Sequence, residues 1–263
     1  MRILLTNDDG IAAAGINALL PVLCELGEVS IVAPDRERSA TGHGITVHQP
    51  LRVQHYSVPG NCASAWMVDG TPADCVKLAV EALLPVKPDL VVSGINLGSN
   101  LGTDVLYSGT VSAAVEGVIL GVPAVAVSLT EFNNADFTCA AQVTKGVILQ
   151  MLKNGLPPNT LLNVNVPPGR KTDMQGIAVT KLGNRRYENT FDRREDPRGR
   201  VYYWLAGKPA EVTNDPDSDI TAIEKGYISV SPVHFDLTNY RIMNQLEKWS
   251  MDDLLKTPIS QEK

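Results

Sequence analysis

The chain has 263 residues, 44% of them hydrophobic but only 5% aromatic, and a formal net charge of -6 at pH 7. That length allows one sizeable aliphatic α/β core, and the negative balance argues against a surface that grips nucleic acid stably through Lys and Arg. No apolar run approaches the roughly 20 residues of a membrane span, and the run after Met1 is shorter than a signal-peptide core. The cysteines at 24, 62, 75 and 139 stand singly rather than in CxxC pairs, so free thiols and a cytoplasmic location are expected.

In chain order, Arg2 to Thr6 and Glu28 to Ala33 are short apolar, β-branched runs that predict strands. Between them Ala12 to Leu26 carries apolar residues at helical spacing and ends near Gly27. Thr71-Pro72 predicts a capped helix start, followed by the apolar stripe of Ala73 to Leu84. Leu90 to Ser93 and Val122 to Val127 predict buried parallel strands, joined by a small-residue helix over Val111 to Leu120. The alternation predicts a doubly wound, mostly parallel Rossmann-like sheet in a single α/β domain spanning residues 1–263. From about Leu182 to Ala210 the texture turns charged and aromatic. Residues 184–210 are therefore expected to form a protruding hairpin arm for oligomerisation, since Tyr202, Tyr203 and Trp204 are types enriched at interfaces, the competing reading being a solvated loop. Asn239 to Leu255 predicts an amphipathic helix that opens a C-terminal helix and tail over 239–263.

Chemistry-bearing residues gather in four loops, three of which directly follow predicted strands. Thr6-Asn7-Asp8-Asp9-Gly10 places two carboxylates at the C-terminal edge of the sheet, where open α/β folds bind ligands. Two adjacent like charges repel, and a cation between them keeps both ionised; hard oxygen ligands suit Mg²⁺ or Mn²⁺. The competing reading is that one aspartate caps the following helix. The second loop, Pro34 to Gly42, offers Ser39, and the third, Ser93 to Asn100, offers Asn96 and Asn100. In isolation each of these is equally a turn-forming residue.

The fourth loop, Tyr107-Ser108-Gly109-Thr110, opens a helix, so unpaired N–H groups, the helix dipole and two hydroxyls form a candidate phosphate cradle, although an ordinary Ser or Thr cap has the same pattern. No GxxxxGK[ST], GxGxxG or HExxH occurs, which disfavours a nucleoside triphosphatase, a dinucleotide-dependent oxidoreductase and a zinc hydrolase. Of the four histidines only His43 lies in a loop able to reach such a site.

Taken together, ILLTNDDG at 3–10, Ser39 within ERSATGHGIT, SGINLGSN at 93–100 and YSGTVSAAVEG at 107–117 resemble the SurE family, the survival-protein 5′/3′-nucleotidases. The resemblance is strong to about Ser128 and looser through NVNVP at 163–167 and the arm. It implies a metal-dependent 5′-nucleotidase that hydrolyses nucleoside monophosphates, with 3′-nucleotidase and short-chain polyphosphatase activity as further expectations. One divalent cation per subunit, Mg²⁺ or Mn²⁺, would be held by Asp8, Asp9, Ser39 and Asn96. Phosphate would be held by Asn100, Ser108, Gly109 and Thr110, with Asp8 and Asp9 as the catalytic carboxylates and a homodimer or homotetramer as the assembly. The alternative is a metal-binding stress protein that senses nucleotides without turnover. Two positions depart from the family pattern: Ala40 stands where Gly commonly follows the loop serine, and Ala14 where Pro is common.

Overall fold

The computed structural model describes residues 1–58, 63–133, 135–188 and 191–252. The chain opens with β1 (Arg2–Thr6), α1 (Ala14–Cys24) and β2 (Glu28–Pro34), the expected βαβ unit. Two strands follow, β3 (Val53–His55) and β4 (Ala63–Val68), and then α2 (Pro72–Leu78). Thr71 caps α2 through a reciprocal box with Asp74, and Pro72 occupies the first turn, where its missing N–H costs nothing. The predicted helix to Leu84 continues only as a π-helical turn over Ala79–Leu83.

Next come β5 (Leu90–Leu97), α3 (Gly109–Ile119), β6 (Ala124–Leu129), α4 (Thr138–Asn154), β7 (Leu161–Val166) and β8 (Ile177–Val179). The arm contributes β9 (Tyr187–Glu188), β10 (Phe191–Glu195), β11 (Val201–Leu205) and β12 (Lys208–Pro209), before α5 (Asp219–Glu224), β13 (Ile228–Val233) and α6 (Tyr240–Leu246).

Nine strands form one sheet in the order β3-β4-β2-β1-β5-β6-β7-β13-β8. From β4 to β7 all neighbours are parallel, whereas β3 pairs antiparallel with β4, and β13 antiparallel with β7. The chain winds outward from β1 through β2 to β4, then returns to the other side of β1 and winds through β5, β6 and β7. The switch point therefore lies between β1 and β5, and a crevice opens beyond their C-terminal ends. Two apolar layers fill the faces of the sheet. Leu19, Leu23, Val147 and Ile148 of α1 and α4 pack on one side, and Val76, Val111 and Ala114 of α2 and α3 on the other.

The arm is antiparallel as expected: β10 pairs with β11 from Phe191 against Leu205 to Glu195 against Val201, and β9 with β12. The C-terminal expectation is corrected in part. α6 ends at Leu246 and is followed by a 3-10 turn over Glu247–Trp249, while residues 253–263 lie outside the described residues. The cysteine expectation is corrected at Cys24, which is disulfide-bonded; Cys75 and Cys139 are free thiols. Ala14 is the first helical residue of α1. A proline is tolerated at that position, so the departure from the family pattern does not touch the site. Among the described residues no helix is long and apolar enough to cross a membrane.

Candidate active site

Asp8 and Asp9 follow β1 immediately, at the switch point. Neither caps α1, because the N-cap is Ala13 and no side chain accepts from the N–H groups of the first turn. Asp8 is buried and receives the Thr110 hydroxyl from the first turn of α3. Burial pushes its carboxyl up, while the Thr110 hydroxyl and backbone pull it down. Asp9 is half-buried and accepts the Leu97 N–H on Oδ2 at 3.2 Å, which ties it to the end of β5. Burial, and then the neighbouring Asp8 charge, raise its pKa to about 6.

The Ser39 loop is strapped to the same place. Arg38 N–H donates to the Asp8 carbonyl at 2.7 Å, and Gly42 N–H to the Tyr107 carbonyl at 3.0 Å. Ser39 itself is exposed and donates to Glu37 Oε1 at 2.7 Å. Glu37 is a carboxylate that sequence reasoning missed; its charge raises the pKa of both Asp8 and Asp9. Ala40 has φ of +55°, so this position does require the left-handed conformation that the family's glycine adopts freely. Ala40→Gly is expected to raise stability by up to about 1 kcal/mol, because relief of left-handed strain exceeds the added freedom of the unfolded chain. An unchanged or lower melting temperature would contradict this.

Asn96 sits on a bulged strand end rather than in a free loop. The β5/β6 register shifts between Ser93 and Asn96, and Gly94 makes the shift, since a Cβ there would lie 2.4 Å from the Val127 carbonyl oxygen. Its Nδ2 donates to the Gly98 carbonyl at 2.7 Å, which leaves the amide oxygen as its other functional atom. Asn100 is buried: its N–H donates to Asn165 Oδ1, its Nδ2 to Ser128 Oγ, and its carbonyl accepts from Asn163 and Asn165. The two asparagines of NVNVP thus share one face of β7, and their period-2 spacing is the signal that could have found them.

At the start of α3, Ser108 Oγ accepts the Val111 N–H at 3.1 Å and so caps the helix, leaving its hydroxyl proton to donate. Gly109 lies against Asp8 so closely that a Cβ would come within 2.7 Å of the Asp8 Cβ. The Thr110 hydroxyl is committed to Asp8. His43 does not join the carboxylates: its Nε2 lies 2.7 Å from Glu116 Oε2 on α3. Asp8, Gly109 and Thr110 are thus brought together directly, Asp9 beside them in the chain, Asn96 through the bond of its neighbour Leu97 to Asp9, Ser39 through its loop, and Asn100 and Ser108 through the segment that joins β5 to α3.

Among the described residues no basic side chain is among the main influences on the carboxyl groups of Asp8 and Asp9. Nor does any cluster of three or more His, Cys, Asp or Glu side chains with metal-binding geometry occur there. Two carboxylates crowded without a counter-charge, among neutral oxygens, fit a hard divalent cation and not a zinc centre.

A family model described as "Survival protein SurE" matches residues 3–189. The chain belongs to the SurE family. A protein named 5′-nucleotidase SurE from Pelotomaculum thermopropionicum is 60% identical over 258 residues, covering 98% of this chain and 96% of its own. One of the same name from Heliobacterium modesticaldum is 57% identical, covering 95% and 92%. The crystal structure of the SurE protein from Aquifex aeolicus superposes with a TM-score of 0.82 at 43% identity, covering 94% of this chain and 98% of that one.

Proposed function

We propose that the chain is a metal-dependent 5′-nucleotidase that hydrolyses nucleoside monophosphates to nucleoside and phosphate. The observation that carries this is the Asp8–Asp9 pair at the switch point, facing the N-terminus of α3, in a chain that shares family and near full length with proteins named 5′-nucleotidase SurE. Asp8, Asp9, Ser39 and Asn96 would hold one Mg²⁺ or Mn²⁺, which supplies positive charge for the phosphoryl oxygens and acidifies water.

The protein's own groups divide the remaining work. Ser108 donates its hydroxyl proton to a phosphate oxygen, and the Gly109 backbone with the dipole of α3 favours the anion, most strongly as charge builds in the transition state. Asn100 fixes the segment between β5 and α3. Thr110 orients Asp8. Asp9 is only half-buried and takes a single backbone N–H, from Leu97, whereas Asp8 is buried and takes the Thr110 hydroxyl, which makes Asp9 the better placed of the two to take a proton from the attacking water.

Phosphate release from a panel of 5′- and 3′-nucleoside monophosphates and short polyphosphates, with Mg²⁺, Mn²⁺ or chelator, tests the reading. Metal-dependent release from 5′-nucleotides is expected. Chelator-insensitive release would refute the metal site, and tight nucleotide binding with no release would favour a sensor instead. A cytoplasmic place for the enzyme is part of this proposal and rests on its nucleotide substrate, not on its cysteines.

The proposal extends to a homodimer or homotetramer built through the arm. A two-stranded hairpin is marginal alone, and β11 exposes Tyr203, Trp204 and Leu205 by 59%, 59% and 71%. Light scattering at micromolar concentration should give a dimer or tetramer mass. Replacing residues 191–205 by a short Gly/Ser loop should lower that mass without weakening Mn²⁺ binding; a wild-type monomer would exclude the assembly.

A further inference from the structure

The segment between β5 and α3 is held from outside the α/β core. Its 3-10 turn over Gly102–Leu106 runs into the Ser108 cap, and the N–H groups of Tyr107 and Ser108 both donate to the Asp104 carbonyl, at 2.9 and 3.1 Å. Asp104 is therefore the residue on which the loop turns into the helix. Its side chain is mostly buried, and Oδ2 accepts from Arg185 Nη1 at 3.0 Å and from the Tyr187 hydroxyl at 2.7 Å.

The same guanidinium nitrogen also donates to Ser99 Oγ at 3.2 Å, at the other end of the segment. Between these points Thr103 Oγ1 donates to the Arg185 carbonyl at 2.6 Å and accepts the Arg185 N–H at 3.3 Å. Buried Asp219 bridges the two backbones, accepting from Gly102 N–H and Gly183 N–H at 2.8 Å each. Burial, together with the bond to Asp104, pushes the Tyr187 phenol up to about 12, so it remains a donor. Residues 183, 185 and 187 lie where the chain leaves the sheet for the arm, some 80 positions from the loop they hold.

We infer that the Asp104–Arg185–Tyr187 cluster is a positioning device that sets the phosphate-binding loop from the base of the arm. None of the three touches Asp8 or Asp9, and the Arg185 charge is matched by Asp104, so the cluster acts through the placement of Ser108 and the start of α3. Preorganised donors bind an anion more tightly than donors that must first be ordered. Loosening the cluster should then weaken phosphate binding and leave metal binding alone. The inference rests on the phosphate-site reading above, and because phosphate binding can be measured without turnover the two fail separately.

The experiment uses the full chain, in wild-type form and as Arg185→Met, Arg185→Lys and Tyr187→Phe. Inorganic phosphate binding and Mn²⁺ binding are read by calorimetry, and KM and kcat with a nucleoside monophosphate. Arg185→Met is expected to raise the phosphate dissociation constant and KM about tenfold, with smaller effects on kcat, as expected for a lost charge-assisted bond that organises a site. Mn²⁺ affinity should stay within about twofold. Arg185→Lys should recover part of the loss, since it can reach Asp104 but cannot supply the planar fork.

Tyr187→Phe changes no charge and removes one oxygen from a side chain that is 44% exposed. It keeps the test open should Arg185→Met fail to fold. A rise of about threefold in the phosphate dissociation constant is expected there. Phosphate binding unchanged in Tyr187→Phe and in either Arg185 variant would overturn the inference, as would an equal loss of Mn²⁺ binding. Wild-type protein that binds phosphate without hydrolysing nucleotides would instead refute the enzymatic reading and leave the positioning cluster standing.

Discussion

Replacing Asp8 or Asp9 by Asn is expected to lower phosphate release from a nucleoside monophosphate by about two orders of magnitude or more, with the fold intact. Asn keeps the size of Asp and one acceptor oxygen but exchanges the other oxygen for an NH2 donor and loses the charge, so the substitution separates a metal ligand from a structural group. The structural contacts survive: Thr110 can still donate to an amide oxygen at position 8, and Leu97 to one at position 9. A hard cation, however, loses half of the formal charge that the two carboxylates present to it.

The metal-free protein should respond in the opposite direction. Burial and the Asp8 charge raise Asp9 to about 6, so the folded state holds this proton more tightly than the unfolded chain does. Between roughly pH 4 and 6, Asp9 therefore contributes stability that is lost as pH rises. Wild-type melting temperature, measured in chelator and taken relative to Asp9→Asn, should increase as pH falls through that window. Asp8→Asn should melt slightly above wild type near neutral pH. Near-normal activity of both variants at ordinary Mn²⁺ concentration would refute the metal-site assignment.

Local pattern carried the central fold because β1, β2, β5 and β6 are buried on both faces and read as short apolar runs, while α1, α2 and α3 announce themselves by spacing or by a cap. The edge of the sheet was harder to read. β3 and β8 bury little, and β13 returns antiparallel after a helix of only six residues, so none offers the long period that identifies an element. Within the site, the loops after β1, β2 and β5 could be collected at one edge because a parallel sheet sends every strand end there. Contacts between distant residues left no local trace. Thr110 reaching Asp8 across 102 positions, and Arg185 reaching Ser99 and Asp104 across more than 80, arise from topology alone. Ala40 lies between these cases: family likeness marked the position, and its positive φ supplies the reason.

Gly109→Ala should abolish most activity through a single methyl group. The added carbon would lie 2.7 Å from the Asp8 Cβ, 2.9 Å from Asp8 Oδ2 and 3.1 Å from the Pro72 Cγ. Real Cβ atoms do not approach so closely. Asp8 cannot yield easily, because it is buried and its carbonyl anchors the Ser39 loop through the Arg38 N–H. Either the first turn of α3 retreats from Asp8, or Asp8 moves away from Asp9 and Thr110. Overpacking of this kind costs about 1 to 3 kcal/mol, and a shift near 1 Å in a reacting group costs about a hundredfold in rate. A fall in kcat/KM of about that size is expected, with weaker phosphate and Mn²⁺ binding, since the displaced atoms belong to both subsites. The control is the same substitution at Gly146 in the middle of α4, where a Cβ would meet nothing within 4 Å. There the methyl only removes backbone freedom from a helix, so Gly146→Ala should stabilise by about 0.5 to 1 kcal/mol and leave activity unchanged. If Gly109→Ala matches Gly146→Ala in melting temperature and activity, the close approach of α3 to Asp8 is not what organises the site.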